Sequence, residues 1–237
     1  TNQRLWSNQI STKGIVFLFL FLGRKMGEVK IEAEGIKIGA IFIKQGRVER
    51  TDDSFRNKLL SEIEEIVKEG KNEEIKKMVR NMLRFGKYKP SGRGKPASEY
   101  LIESAIEGNF PFINNFVDSL NFVSLKSGLP ISLIDIEKAE SENFKIRRGR
   151  RGESYVFNIS GQVLELEDLL LTATLEADEA IATPVKDSLK TKIDDKTREM
   201  AALIYSPKGL ENILYRAIGE LSGFYSKFGE VYEQEML

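Results

Sequence analysis

The pattern of apolar and polar positions divides the chain into short β-branched runs and longer amphipathic stretches. Val29–Glu32 and Ile36–Lys44 are apolar or alternating and rich in isoleucine, as strands are. Phe55–Glu69 places Phe55, Leu59, Ile63 and Ile66 at helical spacing, with acidic residues opposite and Gly70 at its end. Asn72 suits the cap of a second helix running to about Phe85, with Ile75, Val79 and Met82 inward. Gly86–Pro96 reads as a Gly/Pro/Lys-rich loop, Ser98–Glu107 as a short helix and Asn114–Ser127 as a longer one. Gly128 stops that helix and Pro130 follows.

After Asp135 the pattern shortens. Phe144–Arg148, Ser154–Ile159, Leu171–Leu175 and Ala180–Pro184 read as strands, with a tight turn at Ile159–Gln162. Thr197–Ile204 fits helix or strand. Lys208–Phe228 predicts a closing helix, and Glu230–Leu237 an acidic, frayed tail. Helices and strands in this irregular order imply an α+β fold with layered, mostly antiparallel sheets and packed helices, in one domain over residues 26–230. Residues 1–25 read as an upstream extension. Their run Ile15–Leu22 has eight residues, against the about 20 that a membrane span needs. A signal-like or membrane-docking segment and an extra strand remain alternatives.

Composition narrows the chemistry. The 237 residues carry 36 basic and 36 acidic side chains, so nucleic-acid contact must come from local patches. The chain has no cysteine and no histidine. That excludes disulfides, a thiol nucleophile, the Ser-His-Asp triad and the usual Cys/His zinc sites. Nothing implies a cofactor or a metal. Acid–base work falls to Asp, Glu, Lys, Tyr, backbone groups or water. Nothing points to secretion, to a membrane or to DNA, and a cytoplasmic location is expected.

Four constellations stand out. Asn114, Asn115, Asp118 and Asn121 fall so that several share one helical face, and they could hold a polar ligand or simply cap and stitch loops. Lys87, Lys89, Arg93 and Lys95 surround SGRGK, a flexible basic loop or a solvated surface one; it is no P-loop, because Pro96 stands where Ser or Thr should bind magnesium. Arg147, Arg148, Arg150 and Arg151 form the densest basic cluster, suited to RNA phosphate or to an exposed charged turn. Lys186-Asp187-Ser188 lies in a loop, where Asp187 could orient water or bind an amine, or close a polar turn.

Together these pieces resemble the tRNA-editing (B3/B4) region of the phenylalanyl-tRNA synthetase beta chain. Asn114, Asn115, Val117, Asp118, Asn121, Gly128, Pro130 and Asp135 match its Asn-Asn…Asp…Asn, Gly-x-Pro and terminal Asp pattern, with Ile134 in place of an aromatic. KIRRGRRGESYVFNISGQVLELED follows the same region. Lys95-Pro-Ala-Ser-Glu99 and Lys186-Asp187-Ser188 look like the Arg-Pro-Ser-Ser-Glu and Arg-Asp-Ser of free-standing members. The resemblance covers about residues 72–206. It implies an α+β fold around a pocket, with tRNA or aminoacyl-tRNA as partner and hydrolysis of a mischarged ester as activity. Asn115, Glu99 and Asp187 would be catalytic. Ser98, Asn114, Asp118, Asn121, Ser132 and Ser188 would bind substrate, and the arginine cluster RNA. Ser132 stands where synthetase editing domains carry a His, which leaves open a non-catalytic protein that binds RNA or an amino-acid ligand. A purely structural interaction domain is the remaining alternative.

Overall fold

Ile36–Lys44 (β2) is a long apolar run, and it becomes an inner strand of a sheet because both of its edges must be paired once it is buried. The computed structural model describes residues 27–70 and 72–237. The extension assigned to residues 1–25 lies outside them. On one edge β2 pairs antiparallel with β9 (Met200–Pro207), which pairs antiparallel with β3 (Ile131–Asp135). On the other it pairs with β10 (Glu230–Met236), giving the order β10-β2-β9-β3.

A second sheet has the order β1-β4-β7-β8. Its strands are β1 (Val29–Ile31), β4 (Phe144–Arg148), β7 (Leu170–Thr174) and β8 (Ala180–Ala182). The β1–β4 pair is parallel and the others antiparallel. A hairpin of β5 (Ser154–Val156) and β6 (Val163–Glu165) completes the β structure. Phe42 of β2 stacks on Phe144 of β4 at 6.3 Å between ring centres, tying the two sheets together.

The helices form where the periodicity predicts them. Helix α1 (Asp53–Glu69) is capped by Asp52, and α2 (Glu73–Leu83) by Asn72. Next come α3 (Ala97–Ile106), α4 (Asn115–Ser127), a single turn α5 (Ile136–Ala139) and α6 (Glu211–Tyr225). Gly128 ends α4 at φ 73°, a left-handed turn suited to glycine. Rings lock α1, α4 and α6 together: Phe55–Phe224 at 5.3 Å, Phe122–Phe224 at 5.9 Å and Phe116–Tyr225 at 5.0 Å. Such pairs contribute about 0.5–1.5 kcal/mol each beyond their burial. Helix α6 crosses β2 at Gly39, where an added Cβ would lie 2.7 Å from Ile218.

One expectation needs correction. Glu230–Met236 is not frayed: it covers the edge of β2, and the end is pinned by Leu237 N donating to the Ile38 carbonyl at 2.9 Å. The buried polar edge of β2 recruits it despite its charge, with Tyr232 against Phe42. Residues 131–135, at the end of the Asn-Asn…Asp motif, form the strand β3. The 197–204 run, open between helix and strand, is strand from Met200, where the fully buried β9 begins. No helix among the described residues is long and apolar enough to cross a membrane.

Candidate functional site

The two sheets meet where β3, an edge of one, faces β8, an edge of the other. Apolar strands here carry isolated polar residues, Ser132, Thr172 and Tyr205, all fully buried. Each therefore needs a hydrogen-bond partner inside. The Thr172 and Tyr205 hydroxyls lie 2.7 Å apart, and Tyr205 donates to Ser132 Oγ at 3.2 Å. With its proton so committed, Tyr205 accepts from Thr172. Ser132 in turn donates to Asp187 Oδ1 at 2.6 Å. The relay thus runs Thr172, Tyr205, Ser132, Asp187, and ends on a carboxyl that burial desolvates.

A polar turn after β8 carries Asp187. Thr183 Oγ1 accepts from Lys186 N at 3.0 Å and donates to the Lys186 carbonyl at 2.8 Å. Tyr155, from the hairpin, donates to the same carbonyl at 2.5 Å. Asp187 also accepts from Thr183 N at 3.3 Å and Leu133 N at 3.4 Å. Burial pushes its pKa from 3.8 up to about 6, against these donors. Lys186 stands over the Phe157 ring at 4.3 Å. Burial, and then the charge of Arg93, lower its pKa. Ser188 is buried and its hydroxyl caps the short turn Leu189–Thr191.

Of the predicted site residues, the structure joins Ser132 and Asp187 directly, with Ser188 on the same loop. The asparagine face is not part of this site. Asn114 caps α4, accepting from Val117 N at 2.9 Å. Asn115 accepts from Glu49 N at 3.1 Å and donates to the Arg47 carbonyl at 2.8 Å, clamping the chain after β2. Asp118 is buried against Thr51 and accepts from Ile113 N at 2.6 Å. Desolvation raises its pKa despite those bonds. Asn121 is half-buried and makes no such bond among the described residues. The face is stitching, so Asn115→Ala is expected to destabilise the fold by about 1–3 kcal/mol, because buried backbone groups lose their partners. Urea unfolding measures this.

Ser98 and Glu99 line a separate cleft between helices, and no hydrogen bond joins them to Asp187 or Ser132. Glu99 is buried and accepts from Arg80 Nε and Nη2, both at 2.6 Å. Three of the four clustered arginines are bonded within the chain, to acidic side chains or to backbone carbonyls. Arg147 is 5% exposed and grips Glu153 and Asp178 at 2.6 and 2.7 Å. Arg148 donates to the Met82 carbonyl at 2.8 Å and lies over Phe85. Arg150 pairs with Asp178. Arg151 alone of the four is exposed without such a bond. Tyr205, Thr172, Thr183 and Tyr155 were not legible as site residues. Their one signal is polarity within apolar or short strands, and the relay depends on contacts 33–73 residues apart in the chain.

A two-sheet α+β domain with a buried polar relay ending in a loop carboxylate is the class that these features define. Residues 90–207 match the B3/4 domain family. The phenylalanine–tRNA ligase beta subunit of Streptococcus pyogenes serotype M3 is 32% identical over 121 residues, covering 49% of this chain and 15% of the relative. That of Aquifex aeolicus is 33% identical over 89 residues, covering 37% and 11%. The chain thus spans about 15% or less of the length of these relatives. An N-terminal fragment of the phenylalanyl-tRNA synthetase beta-subunit from Pyrococcus horikoshii aligns with 91% of this chain and 55% of its own, at 8% identity and a TM-score of 0.43.

Proposed function

We propose that this chain is an aminoacyl-tRNA editing-like module in which the Ser132–Asp187 site receives the ester of a mischarged aminoacyl-tRNA. One observation carries the reading: within the B3/4 stretch, Ser132 occupies the motif position before Leu133 and hydrogen-bonds the loop carboxyl Asp187 at 2.6 Å. Asp187 holds a water and takes its proton as the water oxygen attacks the ester carbonyl. The ribose oxygen leaves and is protonated, giving free amino acid and tRNA. A base with a pKa of about 6 suits this task near neutral pH. Ser132 is a positioning residue: its hydroxyl is buried and its proton is given to Asp187. Lys186 and Arg93, close enough to repel one another, would meet phosphate beside the loop.

The test is single-turnover deacylation of a panel of mischarged tRNAs. Wild type is expected to exceed background on at least one, and Asp187→Ala to lose about a hundredfold or more of that rate. Background rates from wild type on every tRNA defeat hydrolysis. A binding-only reading draws on the burial of Ser132 and the lack of any histidine in the chain. It predicts filter binding of aminoacyl-tRNA that weakens steeply with salt, without ester loss.

A further inference from the structure

Arg148 differs from its neighbours in the arginine cluster. Arg147 and Arg150 are neutralised by Glu153 and Asp178. Arg148 is half-buried, and its Nη2 and Nη1 go to the Met82 and Leu83 carbonyls at 2.8 and 3.3 Å. It forms no ion pair among the described residues, and burial lowers its pKa against the more distant charge of Asp168. A cation taken from water in this way is costly until an anion joins it.

Arg148 lines a groove of about 760 Å³ between the end of α2, the β1–β2 turn and the turn after β9. That volume falls within the about 300–1,000 Å³ typical of small-molecule pockets. Arg84 and Lys208 line it as well, both exposed. Arg84 bonds Asn81 Oδ1 at 3.1 Å, and neither forms an ion pair among the described residues. Three cations thus border one groove without a paired anion.

Met78, Met82 and Pro207 give the same groove an apolar floor. Phe85 adds an aromatic wall that is 51% exposed. The Arg148 guanidinium covers this ring at 4.8 Å from its centre. The backbone of Phe85 is fixed by a tight turn, in which Tyr88 N donates to the Phe85 carbonyl at 2.8 Å. A held, half-open ring beside cations suits a flat aromatic group that carries a negative charge. Methionine sulfurs add favourable contacts to such a ring. Glu32 and Glu34 also border the groove, Glu32 paired with Lys30 at 3.0 Å. Their carboxylates disfavour a run of phosphates and limit the site to one anionic group.

We infer that this groove binds a single free nucleotide: its base on Phe85 and the two methionines, its phosphate among Arg84, Arg148 and Lys208. None of these residues belongs to the Ser132–Asp187 site, so the assignment stands if that reading fails.

Calorimetric titration with AMP, adenosine and inorganic phosphate tests it, because each of the last two lacks one half of the ligand. AMP is expected to bind at least about tenfold more tightly than either, and Phe85→Ala to weaken it about tenfold. Lys208→Glu, at an exposed position, is expected to weaken AMP about fivefold or more, with the loss greatest at low salt. An oligoadenylate is expected to bind no more tightly than AMP. No binding of AMP, an affinity for adenosine or phosphate equal to that for AMP, or undiminished binding by folded Phe85→Ala or Lys208→Glu overturns the assignment. Binding of the oligoadenylate more than about tenfold tighter than AMP overturns it in favour of an RNA track.

Discussion

Gly149→Ala is expected to lower stability by at least about 4 kcal/mol, among the largest effects a single side chain produces. The residue sits at the centre of RRGRR, where the chain leaves β4 and crosses Leu166–Leu169. Its N–H donates to the Leu169 carbonyl at 2.8 Å, and its carbonyl accepts from Asp168 N at 2.9 Å. A Cβ there would lie 1.8 Å from the Leu166 carbonyl oxygen. That neighbour is backbone and cannot rotate away, so the crossing must open. In a chain of this size such a loss lowers the melting temperature by about 10 °C or more. An unchanged melting curve would show that the crossing is not as tight as described.

Arg147→Met is expected to cost about 3 kcal/mol. Removing one partner of a buried ion pair typically costs about 3–5 kcal/mol, and the lower figure applies because solvent reaches Glu153 and Asp178. Methionine keeps the apolar stem but leaves two carboxylates facing one another without their shared cation. The pH dependence identifies the cause. Burial opposes ionisation of Asp178, yet hydrogen bonds from Arg150 and Arg147 hold its pKa at about 2. A depressed carboxylate contributes stability above its ordinary pKa of 3.8 and loses it as pH falls toward about 2. The variant is expected to lose part of that acid limb, measured by urea midpoints between pH 2 and 5. Equal acid limbs would mean that Arg150 and Lys145 hold Asp178 without Arg147.

These two residues also show what the sequence could and could not convey. Helical spacing in Phe55–Glu69, and the Asn72 and Asn114 caps, are local properties, so those helices were legible. Strand β10 was not, because its place is set by the unpaired edge of β2 and not by Glu-Val-Tyr-Glu-Gln-Glu-Met itself. RRGRR read as a phosphate contact or an exposed charged turn because nothing local reveals that Asp178, about 30 residues on, returns to Arg147. Ser132 and Asp187 could each be singled out from motif and loop, but their hydrogen bond spans 55 residues and exists only once β3 and β8 meet.

Asp187 has the opposite sign to Asp178. Its raised pKa favours the protonated fold, so stability is full below 3.8 and declines as pH rises through about 6, while the active carboxylate appears over the same interval. The pH profile of single-turnover deacylation therefore tests the central claim most directly. The rate is expected to climb between pH 5 and 7 with a midpoint near 6, and Asp187→Ala to be slow and to lack that step. A wild-type profile that follows uncatalysed ester hydrolysis throughout, or an Asp187→Ala profile that coincides with wild type, would contradict the assignment of this carboxylate as the base.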